Sequence, residues 1–459
     1  MIDTEIINSI EKLSSFRNKC IDFINEELIF SDSLWFATWS KNSSGDMVAR
    51  YLLKEISFRT FFLFFLKKII FNYLRCFFFR RELSFSRIGN NAKKKYIYQT
   101  WIDLNQNEKI NLAGKDKYFS NFFSEHYETN TALSIIIAST PKQVKQNELN
   151  QDSIILSVGN LRCVGLSAFF IILKQLFYTL INFLVRFKAS NFNEFFCGLF
   201  VALNVIDIRQ NNSVKIYRHI NSFLKSYLKE HNMVPDLFLP YEAQPEQTAL
   251  IKAWQKNGGK VTGYIHSTML TFPGHYIKPH KYFPDQLWVH GTSYKKILTI
   301  FGWKEAEIKE IKSLRYSSLA PINIELSTIA LPYSTADLNY SIYVLKKLSK
   351  TGIKLRHIRP HPLTGISRRD FKQFNNIIKE NISTKEDYKI QNAIVCIGPA
   401  SLPLEVLEQK VYCTVIHIPI SRSFMDRFDN SLWDDYIEFI KLDEAVRMSL
   451  KANGAFICV

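Results

Sequence analysis

At 459 residues, with 47% hydrophobic and 22% charged side chains, the chain is globular rather than disordered and too long for one ordinary core, so two domains are expected. A net charge of +17 points to an anionic partner: nucleic acid, a membrane surface, or a nucleotide with an anionic glycan. The seven cysteines, at positions 20, 76, 163, 197, 396, 413 and 458, have no CxxC or Cys/His spacing, which argues against a zinc site and for reduced thiols in a cytosolic compartment.

The N-terminal MIDTEIINSIEKL is polar and amphipathic rather than a signal peptide, and residues 1 to about 56 read as helical. Residues 58–81 combine nine Phe with six basic side chains. Lys67 and Lys68 lie near the middle of that stretch, where each would cost roughly 2.5–3.5 kcal/mol in a bilayer. Two readings fit: a basic helix lying in a membrane interface, or a buried packing helix with snorkelling lysines. Residues 82–95, with Gly89-Asn90-Asn91 and three lysines, read as an exposed loop.

KKYIYQTWI and ALSIIIAST read as the first strands of a sheet. The 23 residues from Cys163 to Val185 are long enough to span a bilayer. However, Gln175, Thr179, Asn182 and Arg186 recur at helical spacing, so an amphipathic helix against a membrane or a core is favoured over a span. Residues 191–208 are a further mixed apolar segment, and VKIYRHINSFLKSYLKEH is a helix.

Residues 235–268 read as strand (DLFLPY), loop (EAQPE), helix (QTALIKAWQ), a Gly258-Gly259 stop, and strand (KVTGYI). Ligands in open α/β sheets bind at strand ends. That rim carries Glu242, Gln244 and Glu246 from one strand, and His266, Ser267 and Thr268 from the next. Two carboxylates, an amide and an imidazole on one edge suggest an active site. The competing reading is that Glu242 and Glu246 merely complement the dipole of the helix they precede. DQLWVHG follows as a strand and TSYKKILTIFG as a helix, and the charged stretch from Lys304 to Pro321, which lacks strand patterning, reads as an interdomain connection.

Beyond it, NIELSTIAL, IKLRHIR, NAIVCIG and VYCTVIHI alternate as strands with helices TADLNYSIYVLKKLSKTG, RRDFKQFNNIIKE and SLPLEVLEQ, the pattern of a parallel sheet. Pro362 fixes the turn after IKLRHIR, so that Arg359 and His361 sit at the strand's C-terminal edge. After NAIVCIG, Gly398 and Ser401 form a tight turn into a helix N-terminus that suits a phosphate, with Glu405 placed for ribose hydroxyls. Together these two strand ends point to a nucleotide. The domains expected are therefore a helical region 1–95, a first Rossmann-like domain 96–303, a connection 304–322 and a second Rossmann-like domain 323–459.

Two α/β domains, an acidic strand end in the first, and His-Pro followed by a Ser-bearing helix N-terminus in the second resemble the GT-B glycosyltransferases that use CMP-activated ulosonic acids. These are the bacterial sialyltransferase, polysialyltransferase and Kdo-transferase types. YEAQPEQTALIKAWQKNGGKVTGYIHST also resembles bacterial surface-carbohydrate biosynthesis proteins, and the likeness covers roughly residues 235–415. It implies two domains facing each other across a cleft, CMP contacts from His361 and Ser401, and a base or nucleophile at Glu242. The acidic-acidic-glycine triplet of many sialyltransferases is absent; Glu242-Ala243-Gln244 stands instead. The expected partners are a CMP-activated sugar, a glycan or lipid-linked acceptor and the anionic inner face of the cytoplasmic membrane, where the protein would attach peripherally. No cofactor and no metal are expected. Nucleic acid is not, because the basic residues are dispersed and no nucleic-acid motif is present. Two alternatives stand beside this reading. A teichoic-acid-type CDP-polyol phosphotransferase would use a second histidine, for which His266 is available. The other is a non-catalytic membrane-associated scaffold.

Overall fold

The computed structural model describes residues 4–21, 44–88, 92–101, 118–119, 122–123, 126, 131–138, 153–163, 166–203, 208–266, 276–279, 281–314, 325–331, 338–348, 353–360, 368–384, 392–397, 402–403, 406, 413–418, 437–442 and 445–450. Helices α1 (Thr4–Ile21), α2 (Ser44–Leu52) and α3 (Phe58–Phe78) lead the chain. Ile6, Ile10, Leu13 and Phe16 recur at helical spacing on α1 and are buried in the main core. Arg17, on the same helix, clamps the loop at 277–278 by donating from its guanidinium to the Ile277 and Lys278 carbonyls. Phe61 and Phe65 bury one face of α3.

Next come β1 (Phe79–Ile88), β2 (Tyr96–Trp101), β3 (Ala132–Ala138) and β4 (Ser153–Cys163). Three helices follow: α4 (Leu166–Arg186), α5 (Phe192–Leu203) and α6 (Ile208–His231). The chain then runs β5 (Asp236–Pro240), α7 (Pro245–Lys256), β6 (Val261–Tyr264), β7 (Gln286–Val289), α8 (Gly291–Ile300) and β8 (Ile308–Glu310). These strands form one eight-stranded sheet in the order β1-β4-β3-β2-β5-β6-β7-β8, parallel throughout except for antiparallel β1. Numbered by chain order, its parallel strands run 3-2-1-4-5-6-7. The winding direction therefore reverses between β2 and β5, which opens a crevice at their C-terminal ends.

Both faces of this sheet are covered, as its near-continuous apolar strands require. On β5, Leu237 and Leu239 enter the main core, while Phe238 joins Tyr98, Phe119, Phe123, Tyr264 and Trp288 in an aromatic cluster on the other face.

Two segments differ from expectation. Residues 82–88, expected as a loop, belong to β1, where Leu83 and Phe85 alternate with Ser84 and Ser86 at the period of a strand. Residues 308–310, inside the expected connection, form the parallel edge strand β8. Only Ile308 of that strand is buried, and a charged edge of this kind discourages further pairing.

The second sheet contains β9 (Thr328–Ala330), β10 (His357–Arg359), β11 (Ala393–Ile397), β12 (Thr414–Ile418), β13 (Ile437–Leu442) and β14 (Ala445–Leu450). Its order is β10-β9-β11-β12-β14-β13. The first four strands are parallel, and the β13–β14 pair adds on antiparallel. Again the winding reverses, here between β9 and β11. Helices α9 (Leu338–Leu348) and α10 (Arg368–Thr384) bury Leu345 and Phe374 against Ile329, Val395 and Ile416. Ala330, Ile394, Cys396 and Val415 belong instead to the apolar cluster that fills the first domain. The chain is thus α/β with two largely parallel sheets. No helix among the described residues is long and apolar enough to cross a membrane.

Candidate active site

The crevice of the first sheet is built by the turn from β5 into α7. Ladder pairing continues one residue past β5, where Tyr241 N donates to Tyr264 O at 2.8 Å. Glu242 comes next, and then Ala243 turns the chain with φ of +51°, a conformation that a non-glycine residue adopts at a cost of about 1–2 kcal/mol. Gln244 is the N-cap of α7 in extended conformation, and Pro245 at the first helical position is pre-set for a helix and forfeits no hydrogen bond.

Gln247 holds this turn in place. Its side-chain carbonyl accepts from the amides of Glu242 (2.9 Å) and Gln244 (3.3 Å). The Nε2 group donates to the Pro240 carbonyl (2.5 Å) and to Gln99 Oε1 on β2 (3.0 Å). Every hydrogen-bonding position of this buried amide is therefore used, and the bond to Gln99 crosses the reversal point itself. Strained backbone held by an over-determined side chain is characteristic of functional turns.

Glu242 meets His266, two residues beyond β6, with Oε1 3.3 Å from Nε2. The glutamate side chain retains 22% exposure against 6% for the histidine, so the carboxylate is the member a substrate can reach and the imidazole backs it. The Tyr118 ring stands edge-on to His266, with centroids 4.6 Å apart. Burial, followed by the neighbouring Tyr294, Glu242 and Tyr241, pushes the Tyr276 phenol well above its ordinary pKa, so it stays protonated beside the carboxylate. Further along the rim, Tyr264 OH accepts from Leu314 N at 3.0 Å and meets His290 Nε2 at 2.7 Å. These two bonds tie the ends of β6, β7 and β8 together.

Of the residues singled out from sequence, Glu242 and His266 come together. Gln244 caps α7, and Glu246 lies half-buried in its first turn, where a carboxylate suits the helix dipole. Arg359 ends β10 in the second sheet; its guanidinium Nη1 is buried and meets no acceptor among the described residues. His361, Pro362, Gly398, Ser401 and Glu405, like Ser267 and Thr268, lie outside the described residues.

Sequence reasoning passed over Gln99, Gln247, Tyr118 and Tyr276. Two of these carried a signal: Gln99 is an amide inside the aromatic-rich strand YIYQTW, and Gln247 is a glutamine at the third helical position, where capping boxes place one.

The site also depends on Gly263 in β6. A methyl group there would approach Pro284 Cγ to 2.8 Å, Leu287 Cδ2 to 2.9 Å and Tyr241 Cβ to 3.0 Å. Gly263→Ala is expected to destabilise the first domain by about 1–3 kcal/mol through overpacking. Because Tyr241 precedes Glu242, it should also lower any activity of the site; urea melts together with turnover check both. Unchanged values in both measurements would count against this packing. No family model matches this chain, and no curated protein matches it.

Proposed function

We propose that the chain is a glycosyltransferase of GT-B type that moves an ulosonic acid from a CMP donor to a glycan or lipid-linked acceptor, with its two α/β domains facing each other across a cleft. The observation that carries this reading is the Glu242–His266 pair, 3.3 Å apart at the reversal point of a doubly wound sheet. In that role Glu242 removes the acceptor hydroxyl proton and His266 steadies the carboxylate. The acceptor oxygen forms a bond to the anomeric carbon as the bond to CMP breaks, and the electron pair leaves on the phosphate. A positive group must meet that developing charge. Arg359, at a strand end of the second sheet with a buried guanidinium nitrogen, supports a phosphate site there. His361 and the Ser401 turn complete that site in this proposal.

A second reading, CDP-polyol phosphotransfer, is favoured by one observation: the histidine beside the acid, which such chemistry uses as a base. Calorimetric titration with CMP, CDP, UDP and GDP separates the two. Tightest binding of CMP, weakened at least tenfold by Ser401→Ala combined with Arg359→Gln, is the expected result. Preference for CDP would move the assignment to polyol phosphate, and no binding of any nucleotide would end both readings.

A further inference from the structure

Helix α4 turns a broad apolar stripe outwards. Phe170, Phe177, Tyr178, Ile181, Leu184 and Val185 are all exposed, Phe170 at 63%, Leu184 at 69% and Val185 at 75%. At 3.6 residues per turn these six positions fall within an arc of about 120°. On the opposite side, Thr179 and Phe183 are each 1% exposed and turned into the protein. A surface helix of a water-soluble domain shows a polar face to solvent.

The apolar surface does not stop at α4. Phe195 on α5, itself exposed, packs on Phe183 of α4 with ring centroids 5.4 Å apart. One turn earlier, exposed Phe192 packs on exposed Phe58 of α3 at 5.7 Å. Leu63, Leu66 and Ile70 of α3 are exposed as well. An exposed apolar surface that runs over three helices marks an interaction site.

Charge identifies the partner. Across residues 58–78, 166–186 and 192–203 the sequence contains a single carboxylate, Glu194. That one is buried and bonded to Lys19 Nζ at 2.7 Å, and Lys19 together with the Ser190 amide outweighs the burial that opposes its ionisation, leaving its pKa below the ordinary glutamate value. Among the described residues the exposed charges on these helices, Arg59, Lys67, Lys174 and Arg186, are all basic, as is Lys188 just after α4. An apolar face on helices whose exposed charges, among the described residues, are all cationic matches a bilayer whose surface carries anionic headgroups. A second copy of the same face would set like charges against each other.

We propose that α4, flanked by α5 and α3, lies in the interface of a membrane containing anionic lipid, with Phe177, Ile181 and Leu184 inserted among the acyl chains and Lys174, Arg186 and Lys188 at the headgroups. This does not rest on the sugar-transfer reading, since the binding needs neither donor nor acceptor. Among the described residues α4 exposes six large apolar side chains and α3 four, which moves the centre of the contact to α4.

The test is flotation of the full chain with phosphatidylcholine vesicles that contain or lack phosphatidylglycerol. The wild type should float with the anionic vesicles, less so as salt rises, and hardly at all with phosphatidylcholine alone. Lys174→Gln should weaken binding about fivefold, the effect of one basic charge near such a surface. Leu184→Asp combined with Phe177→Asp should abolish flotation while leaving the circular dichroism melt unchanged, because both side chains are exposed. Wild-type protein that stays at the bottom of the gradient would overturn the proposal, as would a double variant that floats equally well. A dimer by light scattering that the double variant dissociates, with no vesicle binding, would assign the face to a second copy instead.

Discussion

Glu242→Gln should lower hydrolysis of a CMP-ulosonate donor by about 10²–10⁴-fold, the usual contribution of a positioned general base, and leave CMP affinity unchanged. Hydrolysis, with water standing in for the acceptor, allows the measurement before the acceptor is known. The substitution keeps the length and polarity of the side chain and removes its charge. Glu242 leaves β5 at the turn held by Gln247, and its backbone amide is bonded to that residue whatever the side chain is, so the fold is expected to survive. His266→Gln should reduce turnover less, because the imidazole is 6% exposed behind the carboxylate and acts on the substrate through it. Intact-mass measurement after incubation with donor alone then decides how Glu242 works. A sugar adduct on the wild type, absent from Glu242→Gln, makes it a nucleophile in a retaining reaction; rate loss without any adduct makes it the base of an inverting one. Full turnover in Glu242→Gln would remove Glu242 from the chemistry.

The unit from β5 through β6 was legible because its signals are local: two short apolar strands, a proline at the helix start and Gly258-Gly259 at its end. Glu242 and His266 could be picked out for the same reason, since each follows a strand directly. Signals that depend on the rest of the fold were harder to read. Strand β8 offers one buried residue, Ile308, among charges, and only its place beside β7 makes it a strand. In β1 and the β13–β14 pair, Arg, Glu and Lys residues interrupt the apolar pattern, and the alternation is only partial. In α4 the periodicity defines the apolar stripe without saying which side meets the protein. Thr179 turns inwards because α5 and the rest of the domain lie on that side, and helical spacing does not encode this. Gln99 and Gln247 are 148 positions apart, and nothing in either neighbourhood indicates that they share a hydrogen bond.

That bond leads to the largest expected effect on stability. Gln247→Leu removes the acceptor of the Glu242 and Gln244 amides and the donor to both the Pro240 carbonyl and Gln99 Oε1, all at a buried position. A buried polar group that loses its partner costs about 1–3 kcal/mol, and relaxation of the turn towards solvent recovers part of the sum, so a loss of about 3–4 kcal/mol is expected. For a domain of this size that lowers Tm by roughly 6–16 °C. Gln99→Leu touches only one of the four bonds and should cost about 1 kcal/mol. In the double variant the Gln99 carbonyl no longer seeks a donor, so its loss should fall short of the sum of the single ones, which is the mark of two residues in direct contact. Activity should divide along the same line. Gln247→Leu frees the Ala243 turn from the left-handed conformation that aims Glu242, and turnover should fall with stability; Gln99→Leu leaves the Glu242 and Gln244 amides bonded and should retain most of its turnover. Urea melts of the three variants, with donor hydrolysis measured below their transitions, provide both readings. Additive losses would deny the bond across the reversal point, and a Gln247→Leu protein as stable and active as wild type would show that this side chain does not hold the turn.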